Sequence, residues 1–102
     1  MRLDCPLCGA VVSDTPEPPP PGACPGCGAR FHGGGERPQD AAAAVMSALG
    51  LAGDPDALVR ALFAEDLVDR GVAVTSDRRE GFYGWWIFVA AGAECEVARR
   101  AG

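Results

Sequence analysis

The sequence contains no lysine and no asparagine, and its only histidine is His32. Its longest apolar stretch, Trp85 to Ala91, is far shorter than the roughly 20 residues that a membrane-spanning helix needs. No apolar segment follows the N-terminal residues, so we expect neither a secretory signal nor a membrane span. These absences favour a cytoplasmic, reducing setting, where cysteines are more often metal ligands than disulfides.

The charge is acidic, with a formal net value of −5 over 102 residues. All nine basic residues are arginine, and the prevalence of Ala, Gly, Pro and Arg is typical of a GC-rich, bacterial genome. An acidic chain repels a polyanion on average, so a nucleic-acid partner is less favoured than a protein partner. The length fits one compact domain or two very small ones.

Four of the five cysteines lie in two copies of Cys-Pro-x-Cys-Gly, at residues 5–9 and 24–28. The overall spacing, Cys-x₂-Cys-x₁₅-Cys-x₂-Cys, lies within the range of zinc sites. Two residues between cysteines let a tight turn direct both sulfurs at one point, and the following glycine lets backbone amides face the thiolates. A shell of four thiolates leaves no position for water, so we predict a structural Zn²⁺ ion. Its ligands are Cys5, Cys8, Cys24 and Cys27.

Both knuckles resemble those of the zinc-ribbon family, which commonly read Cys-Pro-x-Cys-Gly. The resemblance covers residues 1–32 only. It implies a ribbon fold and a role as an adaptor or as a protein- or nucleic-acid-binding module, but no particular activity. Rubredoxins share the knuckles and bind redox iron. Their aromatic cluster and longer inter-knuckle segment are absent between Cys8 and Cys24, which favours zinc over iron.

The composition changes near the Gly33-Gly34-Gly35 run, which is typical of a flexible hinge. We therefore predict an α+β chain with a zinc ribbon and hinge over residues 1–37 and a small α+β domain over 38–102. In the second part, the pattern predicts a helix over 41–49 with Asp40 as its N-cap and Gly50 at its end.

A second helix is predicted from Asp54, its cap, to Gly71. Its apolar stripe comprises Val59, Leu62, Phe63 and Leu67. Strands over 72–75 and 82–91 form an antiparallel hairpin around a polar turn at 77–81, and a short helix follows over 93–100.

The strand that begins at Phe82 is apolar on both faces. Alternation places Phe82, Trp86 and Phe88 on one face, and the opposite face carries Tyr83, Trp85, Ile87 and Val89. Two apolar faces need two covers. The helices supply one, and the ribbon, another subunit or a partner protein supplies the other. The leading hypothesis is a non-enzymatic adaptor that binds a protein partner, or a second copy of itself, through the Trp85/Ile87 face.

Three alternatives remain open. Nucleic-acid binding requires four arginines to converge on one face: Arg30, Arg37, Arg78 and Arg79. An enzyme would use Cys95 as a nucleophile and His32 as its base, although no third group orients the pair. The prolines between residues 16 and 21 could bind a proline-recognising domain, but a stiff spacer is the simpler interpretation.

Overall fold

The computed structural model describes residues 3–15, 17, 19–79 and 82–102. Its strands are β1 (Leu3–Asp4), β2 (Val11–Ser13), β3 (Gly22–Ala23), β4 (Arg30–Gly35), β5 (Val72–Arg79) and β6 (Phe82–Val89). Its α-helices are α1 (Pro38–Leu49), α2 (Pro55–Ala64) and α3 (Glu94–Ala101), and a 3₁₀ turn covers Val68–Arg70. The predicted α+β class is confirmed. The predicted order of ribbon, helices and hairpin matches only loosely, because two strands of the predicted ribbon, β3 and β4, belong to the main sheet. The short helix predicted over 93–100 is α3.

Two antiparallel sheets are formed by the strands. β1 and β2 make a small two-stranded sheet, and the four-stranded sheet has the order β3-β4-β6-β5. β4 pairs with β6 along most of its length, from Arg30 opposite Val89 to Gly35 opposite Trp85. β4 therefore joins the second knuckle directly to the four-stranded sheet.

The glycine run is part of β4, so the prediction of a flexible hinge at Gly33–Gly35 is wrong. A side chain at Gly33 would collide with the carbonyl oxygen of Trp85, and one at Gly35 would collide with Asp40. The register between Gly33 and Gly35 is irregular, as in a β-bulge. Glycine allows close approach of β4 to β6 and α1 here. The division of the chain at residue 37 into two domains stays a prediction, although the sheet includes residues from both sides of that boundary.

The first helix begins earlier than expected. Pro38 occupies its first turn and Arg37 is the N-cap, while Asp40 lies at the third helical position and accepts a hydrogen bond from the Arg37 N–H at 3.3 Å. Asp40 thus stabilises the helix start from within, as the acidic member of a capping box does. Gly50 ends the helix at φ 69°, as predicted.

The second helix starts as predicted, with the Asp54 side chain accepting from the Asp56 N–H at 3.0 Å. It ends at Ala64 and not at Gly71, because the chain leaves the helix at Glu65 and forms the 3₁₀ turn. The predicted apolar stripe is therefore only partly buried. Leu67 stays buried after the break, but the Phe63 side chain is 57% exposed.

The two faces of the four-stranded sheet have separate cores. The helix-side core packs α1, α2 and α3 on Val72, Ile87 and Val89. The ribbon-side core packs the knuckles on Trp86 and Phe88. The predicted alternation along β6 is therefore correct from Trp85 to Val89, the side chain of Phe82 lies outside the described part of the structure, and both faces are covered by the same chain.

This packing corrects the predicted contact surface. Ile87 is completely buried in the helix-side core, so it is not available to a partner. Trp85 packs against the same core and is only partly buried, with Phe63 edge-on to its ring at 5.6 Å.

The hairpin is longer on the β5 side than predicted. β5 extends to Arg79, and Asp77 within it is 2% exposed, so the predicted polar turn at 77–81 begins inside a strand. Residues 80 and 81 of that predicted turn lie outside the described residues. No helix in the described part of the chain is long and apolar enough to span a membrane.

Candidate metal centre

Each cysteine pair lies in a tight turn closed by the same two backbone hydrogen bonds. In the first knuckle, the Cys5 N–H donates to Ala10 and the Gly9 N–H donates to Cys5, both at 2.8 Å. In the second, the Cys24 N–H donates to Ala29 at 2.8 Å and the Gly28 N–H to Cys24 at 2.9 Å. The two knuckles are therefore copies of one local structure.

The glycine that closes each turn has a left-handed backbone. Gly9 has φ 81° and Gly28 has φ 79°, a region that residues with a side chain enter at a cost. The repeated glycine after each second cysteine in the sequence thus has a conformational reason.

The four sulfur atoms converge as the spacing predicted. The Sγ atoms of Cys5, Cys8, Cys24 and Cys27 all lie within 4.8 Å of one another. The Cys8–Cys24 separation is 3.5 Å and the Cys5–Cys27 separation is 3.8 Å. A tetrahedral shell with Zn–S bonds of about 2.3 Å has sulfur–sulfur edges of about 3.8 Å. The donor set and its dimensions therefore fit a tetrahedral, thiolate-preferring ion.

One sulfur of each pair is buried and the other is exposed. Cys5 and Cys24 are the buried members, and Cys8 and Cys27 are exposed. The centre therefore lies at the surface of the ribbon with its inner half in the ribbon-side core.

The two buried thiols have opposite electrostatic environments. Burial raises the pKa of Cys5 to about 12, despite backbone donors at Cys8 and Leu7. Burial also opposes ionisation of Cys24, but backbone N–H groups and the neighbouring thiols outweigh it and lower its pKa to about 7. One of those donors is the Gly26 N–H, 3.4 Å from the Cys24 sulfur. The turn around Cys24 thus favours its thiolate form, and a bound cation would favour the thiolate form of the whole cluster.

The centre is connected to the main sheet through aromatic packing. Phe31 on β4 follows the second knuckle closely, and its ring lies 5.1 Å from Phe88 and 5.8 Å from Trp86. Cys5 and Cys24 belong to the same buried cluster as these rings. The geometry of the thiols and the packing of β6 therefore depend on each other.

This site and fold describe a small α+β chain with a cluster of four cysteines that could hold a metal ion. No protein-family model, curated protein or solved structure matches the chain, so the resemblance to zinc ribbons stays at the level of the knuckles.

The residues of the enzyme alternative are placed apart in the fold. His32 lies on β4 opposite Ile87, and burial, then the charge of Arg30, lowers its pKa. Cys95 is exposed in the first turn of α3, where its thiol contacts the Gly92 carbonyl at 3.8 Å. The hydrogen bonds among described residues do not join the two side chains.

The arginines of the nucleic-acid alternative do not all converge. Arg30 lies opposite Val89, which in turn pairs with Val72, whereas Arg78 lies six residues further along β5. At about 3.3 Å per residue, the two arginines are roughly 20 Å apart along the sheet. Arg78 lies over the Tyr83 ring, 4.9 Å from its centroid.

One charged cluster was missed by the sequence analysis. Glu96 on α3 is only 6% exposed and binds Arg100 at 2.8 Å and Arg70 at 3.4 Å. Arg100 also pairs with Glu65, just beyond α2. The i, i+4 spacing of Glu96 and Arg100 was a visible signal for part of this network.

Proposed function

We propose that the protein is a non-enzymatic interaction module whose ribbon is stabilised by one structural Zn²⁺ ion. The observation that carries the metal assignment is the convergence of four thiols at distances matching a tetrahedral S₄ shell. Four thiolates close that shell, which leaves no position for a substrate or a reactive water.

The short strands of the ribbon support a structural role for the metal. Its strands β1, β2 and β3 have only two or three residues each, which is too short to form an independently stable sheet. A structural zinc ion contributes about 10–16 kcal/mol in small domains of this kind. Cys5 and Cys24 would hold it from the core and Cys8 and Cys27 from the solvent side.

A role in protein binding is supported by what the fold leaves at its surface. Phe63 is 57% exposed beside the partly buried Trp85, whose ring also contacts Tyr83 edge-on at 6.1 Å. Aromatic side chains of this kind are enriched in interfaces. The exposed aromatic group thus replaces the fully buried Ile87 as the favoured part of the predicted contact surface.

The metal assignment is tested by metal analysis of the purified, reduced protein. We expect one zinc per chain by native mass spectrometry. Cys24→Ser removes one of the two buried thiols of the cluster. We therefore expect it to release the metal and unfold the ribbon. Cys95→Ser is the matched control, because this exposed cysteine lies outside the cluster. Equal metal content in both variants contradicts the proposed site, and iron in place of zinc contradicts the structural assignment.

The interaction assignment is tested with Phe63→Ser in the metal-loaded chain. Because Phe63 is exposed, its replacement should leave the melting temperature nearly unchanged while weakening capture of a partner or of a second copy. Ala64→Ser, the next exposed position of α2, is the control. A strictly monomeric chain that captures no partner contradicts the interaction role.

A further inference from the structure

The outer edge of β5 is open in the described structure. β5 is the last strand of the order β3-β4-β6-β5, and it is eight residues long. A long edge strand offers a row of unpaired backbone groups to another strand. Natural proteins usually shorten, cover or pair such an edge, so we expect another strand to bind here.

The hydrogen bonds at the start of β5 show which backbone groups point outward. Gly71 directs its carbonyl to the Ala90 N–H at 2.7 Å, on the β6 side. Val72 directs its N–H away from β6, to the Leu67 carbonyl at 3.1 Å. Because these directions alternate along an antiparallel strand, the N–H and C=O groups of Val74, Ser76 and Arg78 face the open edge.

Exposed apolar side chains border this edge. Among the described residues, the exposed large hydrophobic side chains are Val11, Phe63 and Val68. Val68 lines a groove between the end of α2 and the first half of β5, together with Leu62, Val72 and Val74. Phe63 lies over Trp85, which pairs with Ser76 at the middle of β5. Val68 therefore lies at the edge itself, and Phe63 lies on the helix side of the neighbouring strand, β6.

The charge along the edge is uneven. Asp66 lines the groove at the beginning of β5, and Asp69 is exposed in the neighbouring 3₁₀ turn. Arg78 lies at the other end of the strand, opposite Tyr83, and therefore on the same face as Val74 and Trp85. An antiparallel strand of identical sequence would bring its basic end to this acidic groove.

We propose that a second copy of this chain occupies the edge, with the two β5 strands antiparallel about a two-fold axis at Thr75. Val74 then faces Ser76 of the partner subunit, and both residues have outward backbone groups. The ladder ends before Val72, whose N–H is already bound to the Leu67 carbonyl, and the side chain of Arg78 of the partner subunit lies there beside Asp66. The sheets join into one continuous eight-stranded sheet, and the contact is self-complementary, as a two-fold interface must be.

This arrangement also explains how the edge avoids unselective pairing. A charged residue near an edge opposes association with an arbitrary strand. The charge of Arg78 no longer opposes association where a carboxylate pairs with it. In the proposed register, Asp66 supplies that carboxylate. The inference extends the proposed interaction role, on which it rests, by naming the surface and the partner.

The decisive variant is Ser76→Pro in the full, metal-loaded chain. Proline removes the outward N–H of Ser76 but no hydrogen bond to β6, and Ser76 is exposed, so the fold should be retained. The two-fold axis doubles the loss, and we expect the dimer dissociation constant from sedimentation velocity to rise about tenfold or more. Ser76→Thr retains the N–H and should associate as the original chain does. Unchanged far-ultraviolet circular dichroism and metal content establish that the proline variant is folded.

The register is tested by charge deletion. Arg78→Gln and Asp66→Asn should each weaken the dimer about threefold, and the double variant should be no weaker than either single one. Asparagine at position 66 keeps a side-chain acceptor for the Val68 N–H, which Asp66 binds at 3.1 Å. Additive losses overturn the pairing of these two side chains and hence the register.

Two results overturn the self-pairing itself. One is a monomer at concentrations up to about 1 mM. The other is a dimer that a folded Ser76→Pro variant leaves unchanged. A third outcome is a monomeric chain that holds its zinc and binds a different protein, and that no longer binds this protein after Ser76→Pro substitution. In that case the interaction role stands, but the proposal that a second copy occupies the edge is wrong. If zinc is absent while dimerisation follows the predictions above, the proposed metal role fails and the edge pairing stands.

Discussion

The two faces of the four-stranded sheet are covered by different types of side chain. Among the described residues, the helix-side core contains fourteen buried side chains, nearly all aliphatic, from three helices, two strands and the segments that join them. The ribbon-side core contains seven, of which two are the thiols Cys5 and Cys24 and three are the aromatic rings of Phe31, Trp86 and Phe88. The helix side thus has the apolar groups of an ordinary core, whereas two of the seven buried side chains on the ribbon side are thiols of the cysteine cluster.

The difference shows how a short chain covers a strand that is apolar on both faces. Helices with many alanines, such as α1, approach the sheet closely and bury a continuous surface. The ribbon has too few large side chains for that, and the proposed metal would link its two knuckles at one point. Stability should therefore be distributed evenly on the helix side and concentrated at the metal on the ribbon side.

Removal of the metal should produce the largest difference in stability between the two sides of the sheet. Chelation under reducing conditions removes a contribution of about 10–16 kcal/mol from the ribbon. We expect amide hydrogen exchange to become fast in residues 3–29, while α1, α2 and β6 keep measurable protection because the helix-side core is intact. The tryptophan emission of the chain should shift to the red as Trp86 becomes exposed to solvent. Addition of Zn²⁺ should reverse both effects, and uniform loss of protection across the chain would show that the two sides form one cooperative unit.

Truncation of one large side chain on each side sharpens the comparison at a smaller scale. Phe88→Ala on the ribbon side and Leu58→Ala on the helix side should each lower the free energy of unfolding by about 3–4 kcal/mol, since both side chains are fully buried. Only Phe88→Ala should speed transfer of zinc to a colorimetric chelator, because Phe88 packs on Phe31 beside the second knuckle. Equal transfer rates in the two variants would mean that the metal centre does not depend on the aromatic packing.

Patterns with a local physical cause were predicted correctly from the sequence. The cysteine spacing predicted which sulfurs converge, because each knuckle is a self-contained turn closed by a glycine. The start of α2 at Asp54 and Pro55 and the end of α1 at Gly50 have the same local character. Alternation along β6 also predicted its two faces, since this periodicity is fixed by the strand itself.

Features that depend on distant partners were not predicted. The glycine run at residues 33–35 has the composition of a flexible linker, and only the closeness of Trp85 and Asp40 shows that it allows tight packing. Ile87 was assigned to a contact surface because the sequence does not state which face α1 and α2 cover. Phe63 was placed in the apolar stripe of the second helix by its spacing, and the spacing does not show that its side chain is exposed.

The smallest expected effect concerns the charged cluster at the edge of the helix-side core. The hydrogen bond from Arg100 holds the pKa of Glu96 below its usual range against the opposing effect of burial, and the charge of Arg99 and a hydrogen bond from Arg70 add to the lowering. A lowered pKa in the folded state means that Glu96 stabilises the fold above its unfolded-state pKa of about 4.3. That contribution is lost as the pH falls through the lower, folded-state pKa.

Glu96→Gln should therefore melt at a lower temperature than the original chain near pH 7, with a difference that shrinks in acid. Glu94→Gln, an exposed position on the same helix, is the control. Loss of metal in acid affects both variants alike, so the difference between their melting temperatures isolates the Glu96 contribution. Arg70 and Arg99 are largely exposed, so solvent screens much of the interaction and the effect should be smaller than that of either core truncation. A difference between the variants that stays constant from neutral to acidic pH would show that Glu96 acts by packing and not by its charge.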